Sequence, residues 1–340
     1  MPNLDVGAFP KWTSRIFSIL AILFNVILII VIRIRRSSHI GGYRHLLSCF
    51  AVFDICYAVF ELFVGTAVLI HKSCFCVFTR ESFISETPIF SIALVSLRSS
   101  LVGMSFVLLA IHFFYRYYAV CRPTKMHHFQ RPFYILLWLN LFLAHGFLWF
   151  GISLLNLPTS ATLVFMRESF EKTYFIRVED VGMICLYYFS PERWTRFASL
   201  TGVALGSITV LIIVYLYIYL TLKIVRALET LTMSSSMRNL HRQLLRALVI
   251  QTLIPIFSNI LPCSVIWITP VFENDEIGSH YNHIIVPLLG IFCWLDPMAV
   301  LFVISEYWHT ATYYLRSIYQ KHSSSIFAYA PSAVSSNTFI

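Results

Sequence analysis

The sequence predicts an all-α membrane protein, a bundle of seven transmembrane helices with the N-terminus outside the cell and the C-terminus inside. Of its residues, 58% are hydrophobic and 12% are charged, whereas soluble domains average about 25% charged. Seven apolar segments are each long enough to cross a bilayer, which takes about 20 residues of helix. Lys and Arg collect in alternate loops, the pattern expected of loops that face the cytoplasm.

The seven segments are separated by polar or basic stretches, and the fourth and fifth carry no charge. They are Trp12–Ile32, Leu46–Ile70, Pro88–Ala119, Phe133–Leu155, Phe197–Leu222, Leu244–Ile268 and Asn282–Ile304. The first ends in arginines without a small-residue cleavage site, so we expect a retained span rather than a cleaved signal.

The distribution of charge sets the expected orientation. With the N-terminus outside, fifteen of the 25 Lys and Arg residues fall on the inner side and nine on the outer side, where eleven acids accompany them. Arg98 lies within a span and counts for neither side. The net charge of +9 therefore indicates loops facing an anionic lipid bilayer, and we expect no nucleic-acid partner.

The chain is predicted to form one seven-helix domain over residues 1–318 and a short cytoplasmic tail over 319–340. The tail is Ser-rich and polar, so it is expected to be disordered. The longest loop, Asn156 to Arg196, lies on the outer side, and its length indicates a lid or a binding role.

Three polar residues on different segments fall at one depth. Asn25, Asp54 and Asp296 share a level when each helix rises by about 1.5 Å per residue, and ionisable groups within spans are costly and mark functional sites. We predict a shared polar cluster that holds water or an ion and repacks when the bundle changes state. The alternative is three groups that are satisfied separately.

A second pair of charges lies further toward the outer side. Glu61 of the second segment and Arg98 of the third both lie roughly 20 Å from the inner side. We hypothesise an ion pair between these two helices. The alternative is that Arg98 extends outward alone while Glu61 is protonated.

Prolines and cysteines give two further expectations. Pro255 and Pro262 interrupt the sixth segment, where an interior proline removes a backbone hydrogen bond and kinks the helix. We expect these two kinks to let the helix act as a lever; the alternative is a static bend.

Cys185 in the long outer loop is expected to pair with Cys74 or Cys76, since disulfides form outside the cell. Free thiols remain the alternative, and one of the three is unpaired in either case.

The motifs of common enzymes are absent from the sequence. It contains no HExxH, no GxSxG, no paired intramembrane Asp and no phosphate-binding Gly loop. His127 and His128 are adjacent and lack ligand spacing. We therefore expect no enzyme activity, no metal and no cofactor.

Several motifs resemble one family. The segment His112–Pro123, HFFYRYYAVCRP, resembles the HFxYRYxAxCxP motif of nematode serpentine chemoreceptors of the Str type. The segments Leu240–Pro255, Leu295–Pro297 and Phe50–Tyr57 resemble the sixth, seventh and second helices of that family. The chain departs from the common rhodopsin-like pattern, because Tyr115 replaces the acid that usually precedes the arginine of the third helix.

The resemblance implies a G-protein-coupled chemosensory receptor that binds a small, often volatile ligand. Such a receptor lies in the plasma membrane of sensory cilia on chemosensory neurons and signals to a heterotrimeric G protein. The competing classes are a multi-span transporter, which predicts internal repeats that the sequence lacks, and a ligand-gated channel, which predicts rings of charge from several subunits.

Depth along the helices places the candidate site residues of such a receptor. For the ligand pocket they are Glu61, Arg98, Phe90 and Ser99, with the loop near Cys185 as a lid. For the face that meets the G protein they are Arg116, Tyr117, Arg122, Arg242 and Arg246, with Arg116 the foremost candidate.

Overall fold

A computed structural model describes residues 8–34, 42–80, 87–230, 234–273 and 275–328. Among these residues, seven helical spans are long and apolar enough to cross a membrane, which confirms the predicted seven-helix bundle. The first four spans are α1 (Ala8–Ile34), α2 (Tyr43–Phe63), α3 (Pro88–Cys121) and α4 (Pro132–Leu155). A short helix, α5 (Ser160–Tyr174), lies in the longest loop, and α6 (Arg193–Thr230) forms the fifth span.

The sixth and seventh spans are each built from two helices. The sixth consists of α7 (Ser235–Pro255), a π-helical turn (Ile256–Ile260) and α8 (Leu261–Ile268). The seventh consists of α9 (Asp275–Gly290) and α10 (Phe292–Val303). α11 (Ser305–Ala328) follows and continues across the predicted boundary between residues 318 and 319, so the first part of the predicted tail is helical; residues 329–340 lie outside the described residues.

A three-stranded antiparallel sheet, which the sequence pattern did not predict, closes one end of the bundle. Its strands β1 (Thr66–His71), β2 (Cys74–Thr79) and β3 (Met183–Tyr187) lie in the order β1-β2-β3. The predicted second span, Leu46–Ile70, was therefore wrong at its far end, because α2 stops at Phe63 and the chain then enters β1. A strand that is buried on both faces reads as a continuous apolar run and resembles the end of a transmembrane helix.

Side chains alternate between the two faces of this sheet, as the pleat requires. One face packs against α5 through a buried cluster that includes Leu69, Phe78 and Phe170. The other face packs against the helical spans through a second cluster that includes Val68, Phe75 and Leu186. We call this end of the molecule the sheet end, and the opposite end, where α6, α7 and α11 carry exposed arginines, the basic end.

Hydrogen bonds fasten the sheet to its surroundings. The amide of Ile70 on edge strand β1 donates to the side-chain oxygen of Asn282 in α9 over 2.9 Å, and the hydroxyl of Tyr174 in α5 donates to the carbonyl of Val68 over 2.9 Å. Burial raises the pKa of Tyr174 to about 12, so its hydroxyl stays a donor. The exposed edge that a small sheet would otherwise present is thus covered.

The third span is the central helix of the bundle. It buries residues along most of its length, whereas α4 buries only Gly146 and Ser153. The outward faces of the spans are apolar, as Leu211 of α6, 66% exposed, illustrates. Such faces are expected where hydrocarbon is the solvent.

Candidate functional site

A small cavity lies directly beneath the sheet, and we call it the upper cavity. Its volume is about 100 Å³, and Phe75, Ile184 and Leu186 of the sheet form its roof. Asn156, at the end of α4, forms part of its wall. The side-chain amide nitrogen of Asn156 donates to the carbonyl of Ile152 over 2.9 Å, while its side-chain oxygen is buried without a partner among the described residues.

A larger space, the middle cavity, lies deeper in the bundle between the third, fourth, fifth and sixth spans. Its volume is about 240 Å³, and its walls are mostly apolar. The residues that line it are Val102, Phe106, Trp149, Ser207, Val210, Leu211, Asn259, Ile260, Cys263, Ser264 and Trp267. A concave, mostly apolar space with a few polar groups is the usual form of a small-molecule site.

Two tryptophans separate the cavities, because Trp149 and Trp267 line both of them. Trp149 packs over Gly103, where an added Cβ would lie 2.5 Å from its ring, and both rings approach Gly206 within about 4 Å of an added Cβ. Glycine at position 103 therefore gives the indole of Trp149 its space, whereas a Cβ at position 206 would make ordinary van der Waals contact with the rings. The indole nitrogen of Trp149 donates to His145 over 3.0 Å, which fixes the ring further.

Of the four predicted pocket residues, one lines a cavity described above and three do not. Ser99 lines the upper cavity. Phe90 lines neither cavity and is 41% exposed, because it lies in the first turn of α3, five residues before Val95, the first third-span residue on a cavity wall. Glu61 and Arg98 line neither cavity either, and instead pair with each other, with Arg98 Nε 2.5 Å from Glu61 Oε1.

The ion pair joins the second and third spans in a dry environment. Both side chains are buried, with 4% of Glu61 and 9% of Arg98 exposed. The pair thus links the second span to the third inside the bundle.

The predicted polar cluster is connected through the seventh span. The amide nitrogen of Asn25 donates to the carbonyl of Cys293 over 3.1 Å; this carbonyl is free because its usual helical partner, residue 297, is a proline without an N–H. Asp296 accepts a bond from Gln251 of the sixth span over 3.4 Å. Asp54 is fully buried and has no hydrogen-bond partner within the described ranges.

Within the described residues, Asn25, Asp54 and Asp296 form no direct hydrogen bond with one another. Asn25 instead connects the first span to the seventh, and Asp296 connects the seventh to the sixth. Asn25 and Asp296 are thus bonded to different neighbours, and both side-chain oxygens of Asp54 have no partner among the described residues.

The two prolines of the sixth span flank its irregular part. α-helical structure stops at Pro255, continues as the π-helical turn Ile256–Ile260 and resumes at Leu261, next to Pro262. Turns of this kind are frequent at functional sites because they re-aim side chains. Here the turn carries Asn259 into the wall of the middle cavity.

At the basic end, Arg116 is held within the bundle. It is 3% exposed, and its guanidinium carbon lies 3.5 Å from the centre of the Tyr43 ring. The Tyr43 hydroxyl lies 3.2 Å from Nδ1 of His112. The Tyr43 ring thus contacts Arg116, whose preceding residue is Tyr115 rather than the acid of the rhodopsin-like pattern. Arg116 is therefore not on the surface in this conformation.

The other predicted residues of the inner face surround or adjoin a groove. Arg122, Arg242 and Arg246 are exposed and Tyr117 is half-buried. Arg242 and Arg246 line a groove of about 640 Å³ between the fifth and sixth spans, which we call the basic groove. Its floor is apolar and includes Leu228 and Leu245.

At the sheet end, the structure joins Cys76 to Cys185 in a disulfide. The two residues face each other across β2 and β3, with Cα atoms 4.2 Å apart. Cys74 lies beside them with its sulfur 3.7 Å from that of Cys76 and remains a thiol. Burial raises the pKa of Cys74, so this thiol is protonated and unreactive near neutral pH.

Replacing Cys76 by Ser is expected to lower the thermal stability of the purified protein, while Cys74→Ser leaves it nearly unchanged. Loss of a disulfide that closes a long loop costs about 2–4 kcal/mol, and Cys74 is a matched neighbour on the same strand. Melting curves with and without reductant measure the difference. The reverse ranking, with Cys74→Ser the damaging change, would show that Cys74 is the partner of Cys185.

Seven spans that are long and apolar enough to cross a membrane define a multi-span membrane protein. The chain belongs to the family described as serpentine type 7TM GPCR chemoreceptor Srj, which matches residues 6–311. The serpentine chemoreceptor family expected from the motifs is confirmed, with class Srj in place of the Str type.

Curated relatives agree with this family. Serpentine receptor class J-38 of Caenorhabditis elegans is 30% identical over 311 residues, which cover 88% of this chain and 93% of the relative. Serpentine receptor class r-10 of Caenorhabditis briggsae is 28% identical and covers 84% of each chain. G-protein coupled receptor str-217 of Caenorhabditis elegans is 25% identical over 320 residues, which cover 88% of each chain.

Proposed function

We propose that this chain is a chemosensory receptor that binds a small, largely apolar ligand in the middle cavity and signals through a heterotrimeric G protein at the basic groove. The middle cavity carries the proposal, because it combines apolar walls with one buried, unpaired acceptor on the irregular turn of the sixth span. Membership of a chemoreceptor family, rather than an enzyme family, supports the same role.

The sixth span connects the proposed ligand site to the proposed coupling site. Asn259 and Trp267 line the middle cavity, and Arg242 and Arg246 line the basic groove on the same span. Pro255 and the π-helical turn lie between these two groups. A ligand that favours one arrangement of this turn shifts the population of the whole span, which is how binding at one end changes the other.

The basic groove suits an amphipathic helix of the G protein. Its apolar floor would accept the apolar face of a helix, and Arg242 and Arg246 stand at its rim with Glu229 opposite. Arg122 and Tyr117 adjoin this surface, and Arg116 joins it when the ring of Tyr43 releases the guanidinium.

The sheet end is proposed to face outside and the basic end the cytoplasm, in the plasma membrane of sensory cilia. The excess of Lys and Arg in the loops at the basic end supports this orientation. The disulfide at the sheet end supports it too, since disulfides persist outside the cell. The ligand class implied by the family is a small, often volatile odorant.

The double variant Arg242→Ala/Arg246→Ala is expected to abolish ligand-evoked signalling or to raise the required ligand concentration at least tenfold. Interface arginines of this kind contribute about 1–3 kcal/mol each. Calcium imaging of cells that express the receptor and are exposed to an odorant panel measures the response. Arg316→Ala is the matched control, because Arg316 is exposed on α11 and lies outside the groove.

Measurements of ligand-evoked current and of ligand uptake distinguish a receptor from the competing channel and transporter classes. A receptor gives no ligand-evoked current in a membrane free of G proteins, whereas a channel does. Ligand accumulation without a calcium response would indicate a transporter. A response that is unaffected by the double variant would contradict coupling at the basic groove.

A further inference from the structure

We infer that the middle cavity selects ligands that carry a hydrogen-bond donor, and that its preferred ligand is a small apolar molecule with one hydroxyl or N–H group directed at the side-chain oxygen of Asn259. The inference rests on the proposed function, since it names the chemical class that the proposed ligand site accepts.

The unpaired oxygen of Asn259 is the first observation. Asn259 is 2% exposed and lines the cavity. Its amide nitrogen donates to the hydroxyl oxygen of Ser258 over 3.1 Å, and its amide oxygen is buried with no partner in the described part of the chain. Buried polar atoms without a partner are uncommon in folded proteins, so this acceptor points to a donor that arrives with a ligand.

The other polar groups on the cavity wall support the same chemistry. The hydroxyl of Ser264 donates to the carbonyl of Ile260 over 2.8 Å, so it is already engaged within its own helix. Phe106, Trp149 and Trp267 supply aromatic walls. A ligand without a donor is disfavoured at this site, because the buried oxygen of Asn259 then stays unpaired. The half-buried hydroxyl of Ser207 also lines the cavity and is a second polar group on its wall.

The volume of the cavity limits the ligand. An apolar cavity of about 150 Å³ holds benzene, so the 240 Å³ observed here corresponds to about ten non-hydrogen atoms. Leu211, which faces outward on the fifth span and is 66% exposed, also lines the cavity. The cavity therefore borders the hydrocarbon, into which a molecule of this kind partitions.

Matched ligands test the inference on the purified full chain in lipid nanodiscs. One set is 1-phenylethanol, acetophenone and cumene, and a second is 2-octanol, 2-octanone and 2-methyloctane; within each set the shape is similar and only the donor changes. Dissociation constants come from titrating the thermal stabilisation of the protein. In at least one set, the alcohol is expected to bind about three- to tenfold more tightly than the ketone and the hydrocarbon.

Two variants test whether Asn259 is responsible for the tighter binding of the alcohol. Asn259→Leu is expected to remove the advantage of the alcohol, while Ser264→Ala, a change on the same wall at an engaged hydroxyl, keeps it. Asn259→Ala is the second variant if the leucine does not fold. The inference is overturned if no alcohol binds, if ketone or hydrocarbon binds as tightly, or if the preference survives the loss of Asn259.

The binding measurement contains no G protein, so it separates this inference from the proposed function. An alcohol that binds with the expected preference but evokes no signal in cells contradicts the proposed function alone. A receptor that signals to ligands without a donor, at full strength and with Asn259 replaced, contradicts the inference alone.

Discussion

Cells that express the double variant Glu61→Arg/Arg98→Glu are expected to contain far more folded receptor than cells that express either single variant. Each single variant places two like charges side by side in a buried site, whereas the double variant restores an opposite pair. Breaking a buried ion pair by changing one partner costs about 3–5 kcal/mol, which is a large share of the roughly 5–15 kcal/mol that stabilises a typical protein. Both single variants are therefore expected to lose most of the folded population.

Size-exclusion chromatography of fluorescently tagged receptor, extracted from whole cells, measures the folded fraction. The chain supplies its own control in the pair of Arg167 and Glu179 at the sheet end, whose side chains are 51% and 45% exposed. Charge reversal there is expected to change the folded fraction little, because water screens exposed pairs. If the buried double variant folds no better than the two single variants, the pair does not brace the second and third spans.

Replacing Tyr43 by Leu is expected to raise signalling in the absence of ligand. The ring of Tyr43 holds the guanidinium of Arg116 inside the bundle, and a desolvated cation–π contact is worth about 2 kcal/mol. Loss of that contact shifts the balance between held and released Arg116 by about thirtyfold. Under the proposed function, released Arg116 extends the surface beside the basic groove.

Tyr43→Phe separates the ring from the hydroxyl. It keeps the aromatic face over Arg116 and removes the hydroxyl, which contacts His112 and also interacts with Arg116. Its ligand-independent signalling is expected to stay nearer to that of the unchanged receptor than that of Tyr43→Leu. Calcium or nucleotide-exchange assays without ligand, normalised to surface expression, measure both variants. Equal effects of Leu and Phe, or no increase with Leu, would show that the ring does not restrain Arg116.

Depth along a helix can be predicted from the sequence because the rise per residue is fixed. That regularity alone places Glu61 level with Arg98, and Asn25 level with Asp296. It carries no information on which side of a helix a residue faces relative to its neighbours. Glu61 and Arg98 therefore have matching depths and yet face each other rather than either cavity.

The sheet and the middle cavity could not be predicted for different physical reasons. Thr66–Ile70 is mostly apolar and follows the second span with only the single glycine Gly65 as a break signal, and the Lys72–Ser73 connection lacks the residues that usually signal a hairpin. Asn259 faces the cavity from a π-helical turn, where the spacing of an ordinary helix does not apply. The walls of the cavity come from four spans, whose packing a single sequence does not specify.

The most direct test of the proposed function is nucleotide exchange by a purified G protein in the presence of the purified receptor in nanodiscs. The proposed function predicts that a ligand bound in the middle cavity accelerates nucleotide exchange with the unchanged receptor. It also predicts that the Arg242→Ala/Arg246→Ala variant binds the same ligand without accelerating exchange. Ligand binding that leaves exchange unchanged in the unaltered receptor, or acceleration that persists in the variant, would contradict it.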